Sequence, residues 1–124
     1  MIDSIFRQTS AEMTNERLKL IKEMLETNPD DSFLKYAAAL EYEKEEDNAK
    51  AIETIRDLLA NDAKYLGAYY KLGKLLEAEG KEKEAIKIYR QGLEVSKKIS
   101  DLKTEGELTE ALMLLGADDQ INWN

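Results

Sequence analysis

Carboxylates are the commonest reactive groups in this chain, and their placement decides which chemistry they can do. Glu41, Glu43, Glu45, Glu46 and Asp47 crowd one short stretch that could collect a divalent cation. It lacks a glycine turn and the alternating ligand spacing of a calcium loop, so a solvated helix end is the expectation. General acid–base work needs two carboxyls whose surroundings push their proton affinities apart, and pairs on exposed helix faces offer no such contrast. Gly67 to Leu75 invites comparison with a phosphate loop, but five residues separate Gly67 from Gly73, and Leu75 follows Lys74 where Ser or Thr would hold magnesium. The sequence contains neither His nor Cys, which removes the commonest acid–base group and metal ligand, the thiolate nucleophile and any disulfide framework. No enzyme, metal site or cofactor is expected.

Apolar spacing suggests work of another kind. Between Ser32 and Glu45 the apolar residues form two stripes: Leu34, Ala38 and Tyr42 share one side at helical spacing, while Phe33, Tyr36, Ala37 and Leu40 share nearly the opposite side. One stripe must pack within the chain. The other is available to a partner or to the chain's own ends, Ile2, Ile5, Phe6 or the tail around Trp123.

The elements that hold these stripes are helical. One Pro and six Gly in 124 residues, among abundant Ala, Leu, Glu, Lys and Ile, favour helix from residue 14 to residue 115. The length suits a single domain over 1–124. Thr14 or Asn15 can cap an incoming helix to Thr27, with Leu18, Ile21, Met24 and Leu25 on one face, and Asn28-Pro29-Asp30-Asp31 ends it. A second helix runs from Asp31 or Ser32 to Glu45. A third follows Asp47-Asn48 and carries Ala51, Ile52, Ile55, Leu58 and Leu59. The fourth starts near Tyr65 and ends at Gly80, a good left-handed cap; the fifth holds Ala85, Ile86, Ile88, Tyr89, Leu93 and Val95. Ser100 or Asp101 starts a last helix with Leu102, Leu108, Ala111, Leu112 and Leu115 on one side, closed by Gly116.

These helices repeat. Segments 32–65 and 66–99 align without a gap at a period of 34 residues, matching at Tyr36/Tyr70, Glu43/Glu77, Ala51/Ala85, Ile52/Ile86, Arg56/Arg90 and Leu59/Leu93. Such a period in a helical sequence marks a stacked helix-turn-helix array whose units cannot bury their apolar faces alone. The balance of 18 basic against 26 acidic side chains, a net charge near −8, repels phosphate backbones and disfavours nucleic acid and anionic membranes. Residues 1–13 show no basic region followed by an apolar run, and no stretch reaches membrane length, so a cytoplasmic protein is expected.

The segment Leu66 to Ile99 resembles the tetratricopeptide repeat. Tyr69 stands where that family often has Trp, followed by Leu72-Gly73, Gly80, Ala85, Tyr89 and Leu93. The first copy matches at Tyr42, Ala51, Ile55 and Leu59 but has Lys35 for the aromatic, Ala39 for the helix-packing Gly and Ala63 for the closing Pro. Residues 15–29 resemble the second helix of a preceding repeat whose first helix is missing or reduced to residues 2–8. The whole is similar to small stand-alone bacterial tetratricopeptide proteins, with an N-terminal extension 1–13, an incoming helix 14–29, repeats 32–65 and 66–99, a capping helix 100–116 and a tail 117–124.

The resemblance implies an all-α right-handed superhelix. First helices of successive repeats line a concave groove in that family, which places Phe33, Tyr36 and Leu40 of one repeat and Tyr70, Lys74 and Glu77 of the next on groove-facing positions. An aromatic and aliphatic floor edged by charge suits a peptide or helix of a protein partner. The alternative is a structural module, monomer or weak homodimer, that covers these positions itself or self-associates through the groove or terminal helices. The clamp by which some members bind chaperone carboxylates is absent: Tyr36, Ala37, Leu40, Tyr70, Lys71 and Lys74 supply too few donors.

Overall fold

A computed structural model describes residues 16–117 of the protein. Among them are six helices and no strand: α1 (16–27), α2 (Ser32–Lys44), α3 (Asn48–Asn61), α4 (Leu66–Ala78), α5 (Glu82–Ile99) and α6 (Leu102–Leu114). No described helix is long and apolar enough to cross a membrane. The expected cap at Thr14 or Asn15 and the terminal residues Ile2, Ile5, Phe6 and Trp123 lie outside the described residues.

Local chemistry sets the helix ends. Asp31 accepts from the Leu34 amide at 3.0 Å, Asp47 from Lys50 at 3.1 Å and Asp101 from Thr104 at 3.1 Å, each satisfying a backbone donor that a first turn leaves unpaired. The turn after α2 and the turn after α4 are copies one period apart. In the first, Glu46 N–H donates to Glu43 O at 2.9 Å and Asp47 N–H to Tyr42 O at 2.9 Å; in the second, Gly80 N–H donates to Glu77 O at 2.9 Å and Lys81 N–H to Leu76 O at 2.8 Å. Both turns pass through the left-handed region, at φ 62° for Glu46 and 74° for Gly80. Glycine enters that region freely, and Glu46 enters it against its own Cβ.

The chain divides into two compact units that part between Leu58 and Leu59. The first has a core of Leu18, Leu34, Ala38, Ala39, Ala51, Ile52, Ile55 and Leu58. Lys35, at the position of the missing aromatic, is buried there with its Nζ 2.9 Å from Asp57 and 3.8 Å from Asp30. Glu41 belongs to the acidic run but is not solvated: it is buried, with Arg17 at 3.6 Å and Lys44 at 3.3 Å.

In the second unit α5 lies against both α4 and α6, around Tyr69, Leu72, Leu76, Ile88, Tyr89, Leu108 and Leu112. Two glycines allow the close approach of α4 and α5. A Cβ on Gly73 would overlap the Tyr89 ring, and one on Gly92 would stand 2.6 Å from Tyr69 Cβ. The Tyr69 hydroxyl donates to Ala63 O at 2.7 Å, so the aromatic of the second repeat anchors the residue that replaces the family's closing Pro.

Three side chains depart from the expected core. Met24 is exposed because six residues at about 100° each carry it roughly 120° away from buried Leu18. Leu102 is 77% exposed; nine residues turn it to the side opposite Ala111, so Leu108, Ala111 and Leu112 do the covering without it. Tyr42 is half-buried rather than fully inward, with the Lys22 and Lys50 ammoniums 5.5 and 5.6 Å from its ring centroid.

Candidate functional site

α4 presents Tyr70, Lys74 and Glu77 in successive turns of one face, the spacing that lets helical neighbours touch. Lys74 Nζ lies 5.4 Å from the Tyr70 ring centroid and 3.6 Å from Glu77 Oε2. From α5, the Tyr89 hydroxyl donates to the same Glu77 oxygen, and the Tyr89 ring is 6.2 Å from that of Tyr70 at an interplanar angle of 43°. Burial first, then the Glu77 carboxylate, drives the Tyr89 phenol far above its ordinary value of 10.0, so it is a fixed donor rather than a titrating group. The three α4 residues read from the sequence therefore form one connected network with a buried tyrosine behind it.

Beside this network is a cavity of about 290 Å³ lined by Tyr70, Lys74, Glu107, Glu110, Ala111 and Leu114. Tyr70 is 37% exposed and Leu114 is 75% exposed. An aromatic face, an aliphatic edge and two carboxylates can together hold a side chain that is apolar along its stem and positive at its tip. The contribution of α6 does not follow from the repeat register, in which that helix covers the end of the array. The spacing of Glu107, Glu110 and Leu114 beside buried Ala111 was available as a sign that one edge of α6 faces the same space as Tyr70.

In the first unit, α2 separates its two stripes. Leu34 and Ala38 are buried, Tyr36, Ala37 and Leu40 are half-buried, and Phe33 is 70% exposed. Lys35, Ala39 and Glu41 are buried as well, so the inward face is broader than the three residues that define it in the sequence. Phe33, Tyr36 and Leu40 occupy the other side of the helix, as its period requires.

Among the described residues, no group of three or more acidic side chains converges to hold a metal ion.

A tetratricopeptide repeat family model matches residues 11–96. The crystal structure of a tetratricopeptide repeat domain protein from Salinibacter ruber is 35% identical, with 69% of this chain and 96% of that one covered and a TM-score of 0.65. A solution structure of a tetratricopeptide repeat domain protein from the same organism is 32% identical over 77% of this chain and 94% of that one, with a TM-score of 0.68. The crystal structure of MamA shares the fold at 19% identity and a TM-score of 0.67, covering 90% of this chain and 64% of its own. None of the curated proteins matches the chain.

Proposed function

Because the chain belongs to the tetratricopeptide repeat family, whose domains generally mediate protein–protein interactions, we propose that it is a non-enzymatic scaffold binding a peptide or helix of a protein partner. Each unit offers its own contacts: Tyr70, Lys74 and Glu77 on α4 of the second, and Phe33, Tyr36 and Leu40 on α2 of the first. The observation that carries this reading is the state of Tyr70: it stays 37% exposed while its ring lies 6.2 Å from the Tyr89 ring and 5.4 Å from the Lys74 ammonium. An aromatic group already held in place loses little freedom when a partner covers it, which is what makes such residues strong contributors to interfaces.

The test is affinity capture from native lysate, with bound proteins identified by mass spectrometry and titrated in purified form. Tyr36→Ala combined with Tyr70→Ala should weaken the purified partner by about 2 kcal/mol or more while circular dichroism and the melting curve persist. Unfolding of the double variant would make these tyrosines core residues and end the proposal. A folded variant that captures the same partner with wild-type affinity would move the binding surface elsewhere.

Self-association is the rival reading, and the exposure of Phe33 favours it. Light scattering over a concentration series decides between them: a dimer that Phe33→Ser dissociates supports the rival, and a monomer throughout supports the scaffold.

A further inference from the structure

α6 presents a face that packing among the described residues does not use. Leu102, Gly106, Thr109 and Met113 follow one another along it at spacings of four, three and four residues, which keeps them in line on a helix. Leu102 is 77% exposed and Met113 is 51% exposed. Between them runs a shallow trough of about 360 Å³, floored by Gly106 and edged by Glu105 and Glu110. It shares only Glu110 with the cavity beside Tyr70.

Gly106 is the informative residue. Gly73 and Gly92 are each required by a tyrosine of the facing helix, whereas, apart from its chain neighbours and its own helix backbone, no heavy atom of the described residues lies within 4 Å of the place where a Cβ on Gly106 would stand. Its backbone is ordinary helix, so no left-handed turn needs it either. Glycine inside a helix weakens it relative to alanine, and what the missing side chain permits is close approach of another backbone. Nothing inside the described chain makes that approach.

The edges of the trough select what can. α6 carries Glu105, Glu107 and Glu110 against a single Lys103, in a chain of net charge near −8. A second copy would set these carboxylates against their own kind. A helix whose apolar stripe is bordered by Lys or Arg would find both complements at once, burying aliphatic groups over Gly106 and pairing its cations at the edges. We propose that this face of α6 is the docking site for a basic amphipathic helix of a partner protein, crossing at Gly106 between Leu102 and Met113 with its cations against Glu105 and Glu110.

The probe is a fluorescein-labelled synthetic helix with a Leu stripe flanked by Lys, compared with one carrying Glu in place of every Lys, each titrated against the full chain by anisotropy. The Lys helix should bind, more weakly as salt is raised, and the Glu helix should not. Gly106→Leu fills only the trough, so it should leave the melting temperature unchanged or higher and weaken the Lys helix by about tenfold or more. Glu105→Lys with Glu110→Lys should reverse the preference between the two helices, and Tyr70→Ala should alter neither titration. Equal binding of both helices, or wild-type affinity in the Gly106→Leu chain, overturns the proposal. So does a wild-type dimer that Gly106→Leu converts to monomer, which would assign the face to a second copy. A full-length Trp123→Ser chain that binds the Lys helix about tenfold more tightly would assign it to the chain's own terminus, with the same result.

Discussion

Tyr89 fills the space that a side chain on Gly73 would need. One period earlier the corresponding residues are Ile55 and Ala39, both buried, so a smaller side chain on the second helix accompanies a larger one on the first. Volume is traded between the two positions. Gly73→Ala alone should overpack the contact and destabilise by about 1–3 kcal/mol. In a Tyr89→Ile background, which recreates the first repeat's pair, the same change should be neutral or stabilising, since alanine is the better helix former by roughly 1 kcal/mol. A double-mutant cycle by urea denaturation measures the coupling; additive effects would refute the exchange.

Lys35 tests how the first repeat manages without its aromatic. The side chain is 7% exposed while that of Asp57, its partner at 2.9 Å, is 62% exposed, so the lysine carries most of the desolvation. Asp57→Ala should cost about 1–3 kcal/mol by leaving a buried cation with the longer pair to Asp30 at 3.8 Å. Lys35→Met removes both the charge and its desolvation penalty and should be neutral or stabilising. Chemical denaturation of the two single variants reads the opposite signs directly.

The two sides of α2 should respond differently to truncation. Leu34→Ala removes a buried side chain and is expected to cost about 2–5 kcal/mol, whereas Phe33→Ala on the exposed side should change stability by less than about 0.5 kcal/mol. Equal losses in thermal melts would show that both stripes are core and would remove Phe33 from any binding surface.

Glu46 offers a stabilising change. It holds the left-handed conformation that Gly80 holds one period later, and an L-residue there costs roughly 1–2 kcal/mol relative to glycine. Glycine also gains freedom in the unfolded chain, which offsets part of the benefit. Glu46→Gly should therefore raise stability by about 0.5–1 kcal/mol, visible as a higher urea midpoint at unchanged slope.

Alkaline pH should loosen the second unit. Burial raises Tyr89, with Glu77 adding to it, and burial followed by Asp62 raises Tyr69, both from an ordinary value of 10.0. Below that value folded and unfolded chains hold these protons alike and the stabilisation is complete. Above it the unfolded chain releases protons that the folded chain keeps, so stability falls as pH rises. The urea midpoint should drop between about pH 9 and about pH 11, and Tyr89→Phe should flatten that drop. An unchanged slope in Tyr89→Phe would show that Tyr89 does not contribute to it.

Helix positions were legible in the sequence because caps and periodicity are local. Asp31, Asp101, Gly80 and Gly116 mark ends through the conformations and hydrogen bonds they favour, and the α2 stripes follow from counting residues. What escaped were features that depend on a second element. Glu41 reads as part of a solvated helix end and Lys35 as a departure from the family's aromatic, and the ion pairs that bury them show only once Arg17, Lys44 and Asp57 are brought beside them. The left-handed turn at Glu46 is invisible because the residue disfavours it, and only the repeat of its hydrogen bonds around Gly80 reveals it. On the candidate site, Tyr70, Lys74 and Glu77 follow from register, but Glu107, Glu110 and Leu114 come from a helix that starts 36 residues after α4 rather than 34, outside the repeat that guided the reading.

The paired insertions between α4 and α5 run in opposite directions: Tyr89 of α5 enters at Gly73 of α4, and Tyr69 of α4 lies over Gly92 of α5. Two notches cut in opposite senses act as a lock against sliding, since a shift of either helix along its axis drives at least one ring into backbone. Under a shearing load this pair should resist as a stiff body and then fail abruptly. The first repeat, with Lys35 and Leu58 at one notch and Ala39 and Ile55 at the other, has no ring to catch, and slippage under tension should begin there.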